Sequence, residues 1–201
     1  MKKLLIVALS TAWLVPAVTF AAADPKLVDS CNDCHGDKGI STAQNIPSIA
    51  GISASVHSDA LKAFKAKARP CNKVNYVRGD TKRQGDMCTV AGKLSDAEVA
   101  ALADTYSKLP YEAVKQPTDA AKAAAGKTVH ERDCKGCHSN GGRDPGDDAS
   151  ILGGQPVGYL KGALADLKAG KTDQPKKMKE KMSKLSDADV EALAQFYGSQ
   201  K

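Results

Sequence analysis

Cys31-Asn32-Asp33-Cys34-His35 returns 103 residues later as Cys134-Lys135-Gly136-Cys137-His138. Two thiols three residues apart can add across the vinyl groups of one haem, and the histidine that follows then sits under the porphyrin as proximal iron ligand. The pentapeptide thus carries the covalent anchor and the first axial bond together. Zinc ribbons place their CxxC knuckles roughly 15–20 residues apart, and neither a redox dithiol nor a pair of unrelated disulfides explains a trailing His in both copies. The chain is read as binding two c-type haems, through Cys31 and Cys34 and through Cys134 and Cys137, with His35 and His138 as iron ligands.

Such haems are attached on the oxidising side of a membrane. Met1-Lys2-Lys3 is a basic start, Leu4 to Val18 is apolar apart from Ser10, Thr11 and Pro16, and Ala21-Ala22-Ala23 offers a small-residue cleavage site. Residues 1–23 are therefore expected to be a signal peptide, cleaved near Ala23, rather than an uncleaved anchor. No later stretch is long and apolar enough to span a bilayer, so the mature chain is expected to be soluble and periplasmic, with no transmembrane segment. Removing Lys2 and Lys3 from 29 basic residues leaves 27 against 23 acidic ones, a surplus that haem propionates offset. No nucleic-acid partner is expected. Lys168 to Lys184 is locally basic, a solvated face or a patch that steers an acidic partner. Only 4% of residues are aromatic, which suits two small domains whose apolar bulk comes partly from haem.

The duplication extends beyond the haem motif. Leu94-Ser-Asp-Ala-Glu-Val99-Ala-Ala-Leu102-Ala-Asp-Thr-Tyr106 matches Leu185-Ser-Asp-Ala-Asp-Val190-Glu-Ala-Leu193-Ala-Gln-Phe-Tyr197 at a shift of 91. Ser95 with Glu98 and Ser186 with Asp189 sit where a cap and its reciprocal acid belong, and Val99, Leu102, Ala103 and Tyr106 form one apolar helical face. A helix leads into each haem motif, from Asp24-Pro25 and from about Thr118. Middle helices are expected over 54–67 and 158–168, and no stretch alternates like a strand. The reading is all-α, with a first domain over 24–109, a proline-bounded linker over 110–117 and a second domain over 118–201.

Met87 precedes Leu94 by seven residues, and Met178 precedes Leu185 by seven. Two methionines in register, each placed in a loop before the last helix, are the expected distal ligands. Met182 aligns with Ala91 and is assigned to packing. His130, one turn before Cys134, and His57, matched by Leu160, are the other candidate ligands. His/Met ligation leaves no open coordination position and raises the reduction potential. Nothing reads as a nucleophile, general base or phosphate loop, so no catalytic residue is assigned. The expected function is outer-sphere electron transfer between redox proteins.

The two CxxCH motifs, the two methionines ahead of LSDAEVAALADTY and LSDADVEALAQFY, and the join YEAVKQPTDAAKAAAGKTVHERDC together resemble the dihaem cytochrome c4 group over essentially the whole mature chain. CHSNGGRDPGDDASILGGQ with QPKKMKEKMSKL is also similar to the dihaem cytochrome subunit of flavocytochrome c sulfide dehydrogenase. The resemblance implies two tandem class I cytochrome c domains about a pseudo-twofold axis, with haems close enough to exchange electrons. It implies partners among flavoprotein dehydrogenases, other cytochromes or a terminal oxidase, and a link to sulfur oxidation if the chain is an enzyme subunit rather than a free carrier. That fold places a proline carbonyl against the haem-ligating histidine. Pro47 fits this for His35, and the second repeat has no proline near Ala149, which leaves the partner of His138 open.

The first repeat is 12 residues longer, since Phe64 to Met87 spans 23 residues and Leu167 to Met178 spans 11. The insert holds Cys71 and, at its end, Cys88. These two leftover thiols are expected to pair in an exported protein, with two free thiols or a metal or sulfur-carrying site as alternatives.

Overall fold

The computed structural model describes residues 22–201, so the expected signal peptide falls outside the described residues except for its last two alanines. The first half opens with α1, Pro25–His35, whose cap Asp24 accepts the Lys26 N–H at 2.8 Å. Helix α2, Ala54–Lys65, is capped by Ser53. It stops two residues short of the expected Lys67, which adopts a left-handed backbone with φ of 55°. The short α3, Met87–Ala91, and the long α4, Asp96–Ser107, complete this half, and Ser95 and Glu98 close the capping box in both directions.

The insert departs from the strand-free expectation. Strands β1, Val74–Asn75, and β2, Gln84–Gly85, pair antiparallel with Val74 opposite Gly85. Two residues are too few for alternation to register, and the pair is held by side chains instead. The Arg83 guanidinium lies 3.8 Å from the Tyr76 ring centre, and the Gln84 amide donates to Asn75 Oδ1 at 2.9 Å.

The second half repeats the plan. Helix α5, Ala120–Val129, is capped by Asp119, just beyond the expected start at Thr118. It runs into a wider turn over 130–134, closed by the Lys135 N–H on the His130 carbonyl at 2.9 Å. A single irregular turn, α6 (Ser139–Gly142), follows, then α7 (Val157–Lys168), α8 (Lys176–Met182) and α9 (Asp187–Gly198) with its own reciprocal cap between Ser186 and Asp189.

Each half has a separate apolar core. Leu94, Val99, Leu102 and Tyr106 pack with Leu27, Val28 and Leu61 in the first. Val129, Leu160, Leu164, Leu185, Leu193 and Tyr197 dominate the second. Backbone turns repeat as well. The Gly39 carbonyl accepts from Ile49 and Ala50, as Gly142 does from Leu152 and Gly153, and the Gly51 and Gly154 N–H groups donate to Tyr106 and Tyr197.

The crossing of α5 on α9 is close enough to need glycine. A Cβ on Gly126 would lie 2.0 Å from the Ala192 carbonyl oxygen and 2.7 Å from Phe196 Cβ. Gly162, in α7, has nothing within 4 Å of a built Cβ. We expect Gly126→Ala to cost about 1–3 kcal/mol by overpacking and Gly162→Ala to stabilise by about 0.5–1 kcal/mol. Denaturant unfolding of the two variants should give these opposite signs.

Candidate functional site

In the first half the sequence-nominated residues converge at the end of α1. His35 is 7% exposed, and its Nδ1 lies 2.8 Å from the Pro47 carbonyl. A carbonyl only accepts, so Nδ1 carries the proton and Nε2 is the nitrogen left with a lone pair for iron. Burial lowers the pKa of His35, favouring this neutral form. Burial raises the Cys31, Cys34 and Cys134 thiols above their ordinary value. These thiols therefore lack the thiolate character of a redox dithiol or zinc site, and Cys31 and Cys34 flank the end of α1 beside a histidine whose Nε2 is left with its lone pair. The residues therefore fit c-type haem.

The second haem motif is less enclosed. His138 is only half-buried, Cys137 is exposed, and among the described residues no carbonyl takes the role of Pro47. Instead the Asp147 carboxylate accepts the Ser139 N–H at 2.6 Å and its hydroxyl at 2.8 Å. Burial lowers the His138 pKa, and the Asp147 charge partly opposes it.

The methionines lie on helices, not in the loops expected for them. Met87 is the first residue of α3, where Asp86 caps the helix by accepting the Thr89 N–H at 2.8 Å, and Met178 is the third residue of α8. Each remains partly exposed. Met182 is 2% exposed within the second core, and Ala91 at its matched position is wholly buried. His130 is engaged elsewhere, with Nδ1 3.0 Å from the Tyr197 hydroxyl.

The insert folds over the first haem motif. The Asp33 carbonyl, inside CNDCH, accepts the N–H groups of Val77 at 2.8 Å and Arg78 at 3.1 Å. Arg78 also pairs with Asp29 at 3.0 Å and Asp37 at 3.5 Å. Cys71 and Cys88 form a disulfide with Cα atoms 5.4 Å apart. Asp86 lies beside it, but sulfurs bonded to one another offer no thiolate for a metal.

One feature escaped sequence reasoning. Gln155, 1% exposed, joins the two halves by accepting the Ser48 N–H and donating to the Ser48 carbonyl, both at 2.8 Å. The signal was a polar residue at the position where the first repeat has the apolar Ile52.

The description cytochrome c matches residues 22–104, and cytochrome c oxidase, cbb3-type, subunit III matches 121–196. The chain is 31% identical to the thiosulfate dehydrogenase electron acceptor of Thiomonas intermedia (strain K12), with all of this chain and 92% of that protein covered. It is 27% identical to cytochrome c4 of Azotobacter vinelandii, covering 96% and 94%. The chain belongs to the dihaem cytochrome c4 family. The solved structure of reduced cytochrome c4 from Pseudomonas stutzeri superposes with a TM-score of 0.70 at 26% identity, covering 90% of this chain and all of that one. Thiosulfate dehydrogenase from Marichromatium purpuratum gives 0.68 at 25% identity, over 85% of this chain and 36% of the other. As in cytochrome c4, two tandem cytochrome c domains carry two covalent c-type haems, and the chain is an electron-transfer cytochrome. No helix among the described residues is long and apolar enough to cross a membrane.

His57 gives this cytochrome an acid-sensitive point. It is 8% exposed, its Nε2 has no partner among the described residues, and burial lowers its pKa to about 4. The unfolded chain takes up a proton near 6.5 and the folded chain only near 4, so stability is full above 6.5 and falls as pH drops towards 4. The contribution is roughly 3 kcal/mol across that window. His57→Leu, which copies Leu160, should reduce the loss; equal slopes of unfolding free energy against pH in both proteins would refute this.

Proposed function

We propose that the mature chain is a periplasmic carrier that passes single electrons between redox partners by outer-sphere transfer. In this reading Cys31 and Cys34 hold one haem and Cys134 and Cys137 the other, with His35 and Met87, and His138 and Met178, as axial pairs. The first domain covers 24–109 and the second 118–201, after removal of a signal peptide ending near Ala23. Bound haem supplies the one-electron couple. The protein keeps each histidine neutral and oriented, fills the sixth position with a thioether, and keeps water from the iron.

The observation that carries the reading is the register of the donors. Met87 and Met178 each lie in the first turn of a short helix, seven residues ahead of the leucine that precedes the capped last helix, and Met182 is taken up by the core. A saturated iron in both halves suits transfer and not ligand activation. In the first half the disulfide ties the insert to the residue after Met87 and opposes opening of that ligand segment; its 17-residue separation corresponds to about 3 kcal/mol of loop-closure stabilisation.

A second reading concerns the electron donor. The relative from Thiomonas intermedia is named as electron acceptor of a thiosulfate dehydrogenase and aligns along the whole of this chain. This favours a thiosulfate-oxidising donor over the flavin-dependent sulfide enzyme suggested by the second-half resemblance. Mixing the oxidised protein with either enzyme and its substrate, and following haem reduction, separates the two donors.

Met178→Ala should remove half of the Met–iron absorption band at the red edge of the oxidised spectrum and lower one of the two potentials. Met182→Ala should leave the band intact and cost stability instead. The reverse pattern would move the ligand assignment to Met182.

A further inference from the structure

Pro47 and Ser48 share one peptide group, and its two polar ends face opposite halves of the molecule. The carbonyl accepts from His35 Nδ1 at 2.8 Å, and the N–H donates to Gln155 Oε1 at 2.8 Å. Gln155 Nε2 in turn donates to the Ser48 carbonyl at 2.8 Å, so the amide grips both sides of Ser48. Ser48 is fully buried and Gln155 1% exposed. The grip is braced from behind by linker residue Gln116. Its Nε2 donates to the Gln155 carbonyl at 2.8 Å, and its Oε1 accepts the Val157 N–H at 2.9 Å.

We propose that Gln155 is a positioning residue of the second domain that sets the reduction potential of the first haem through the Pro47–Ser48 peptide. Hydrogen bonds through one peptide polarise each other. A donor-side bond from Ser48 to Gln155 makes the Pro47 oxygen a stronger acceptor for His35 Nδ1–H, which makes the histidine a stronger electron donor to iron and lowers the potential. Docking of the two domains is thereby written into one site. The other site has no such grip among the described residues, because Ile52 occupies the matched position and His138 meets no carbonyl there. The inference rests on reading His35 as the ligand of the first haem.

The test is redox titration of the full dihaem protein, with paramagnetic NMR of the oxidised form. Gln155→Met should raise the first potential and leave the second in place. The electron distribution between haems would then shift towards the first by up to about tenfold, or about 59 mV for a one-electron couple. The His35 Nδ1 proton should move with it. Ser55→Ala, which removes the Ser55–Asp148 bond elsewhere in the joint, should move neither potential. Two unmoved potentials in Gln155→Met, or equal shifts of both haems in Gln155→Met and Ser55→Ala, would overturn the proposal. If Gln155→Met does not fold, Gln155→Asn keeps the amide but is one methylene too short to reach both Ser48 groups, and the same shift is expected. Absence of an iron-shifted His35 proton in the unsubstituted protein would instead overturn the ligand assignment.

Discussion

The crossing of the last helix of each half over the helix that ends in CxxCH is the contact on which both haem sites depend. The haem motif lies at a helix end, where the last carbonyls run out of intrahelical partners and the chain can leave in several directions. A buried tyrosine from the last helix fixes it. Tyr106, 2% exposed, places its hydroxyl 2.9 Å from Asn32 Oδ1, inside the motif, and 3.1 Å from the Val28 carbonyl, the two acceptors sharing its one proton. Tyr197 meets His130 in the wide turn before Cys134. Burial raises the pKa of both phenols, so they remain hydroxyl donors. The carbonyls of the same tyrosines then receive Gly51 and Gly154, which begin the approach to the middle helices. One residue type at one position thus ties the first, middle and last segments of each half.

On that shared frame the two halves diverge around the iron ligands. The first has a buried histidine, a proline carbonyl behind it, an insert bonded to the Asp33 carbonyl and a disulfide next to Met87. The second has a half-exposed histidine, an exposed Cys137 and a carboxylate at the neighbouring serine. Each difference changes hydration and hydrogen bonding near the metal, and those are the protein's means of tuning potential. In the carrier proposed above, two inequivalent sites would give transfer between the haems a direction, which two identical ones would not.

Much of this was legible in the sequence because the chemistry is local. CxxCH, the capping boxes at Ser95 and Ser186, and the apolar faces of α4 and α9 are each set within a dozen residues, and duplication gave every reading a second copy. Pro47 was legible only through family resemblance, since nothing local points a carbonyl at a side chain 12 residues away. The hairpin was missed because its arms are shorter than any period. The methionine segments read as loops because the caps at Asp86 and Pro175 precede helices too short to show a face. Gln155 and Ser48 are 107 residues apart, and no spacing rule links a buried amide to a backbone group at that distance.

The chemistry of the joint also separates two demands on an electron carrier. Most groups through which the domains meet are neutral: the Gln155 amide on Ser48, the Tyr159 N–H on the Gln44 carbonyl at 2.6 Å, and the Asp173 N–H on the Ala68 carbonyl at 3.0 Å, with the Asp148 carboxylate on Ser55 as an exposed exception. Buried neutral hydrogen bonds are barely affected by ionic strength. The charges stay outside, in pairs such as Lys168 with Asp187, whose carboxylate side chain is 97% exposed, and in the exposed Lys176, Lys177 and Lys179 around Met178. Exposed charges are screened over about 8–10 Å at physiological salt. For the carrier proposed above, encounters with partners would then be weak, rapid and salt-tuned while the joint between the domains keeps its geometry. A joint built from ion pairs would have coupled the two, loosening under the same conditions that release a partner.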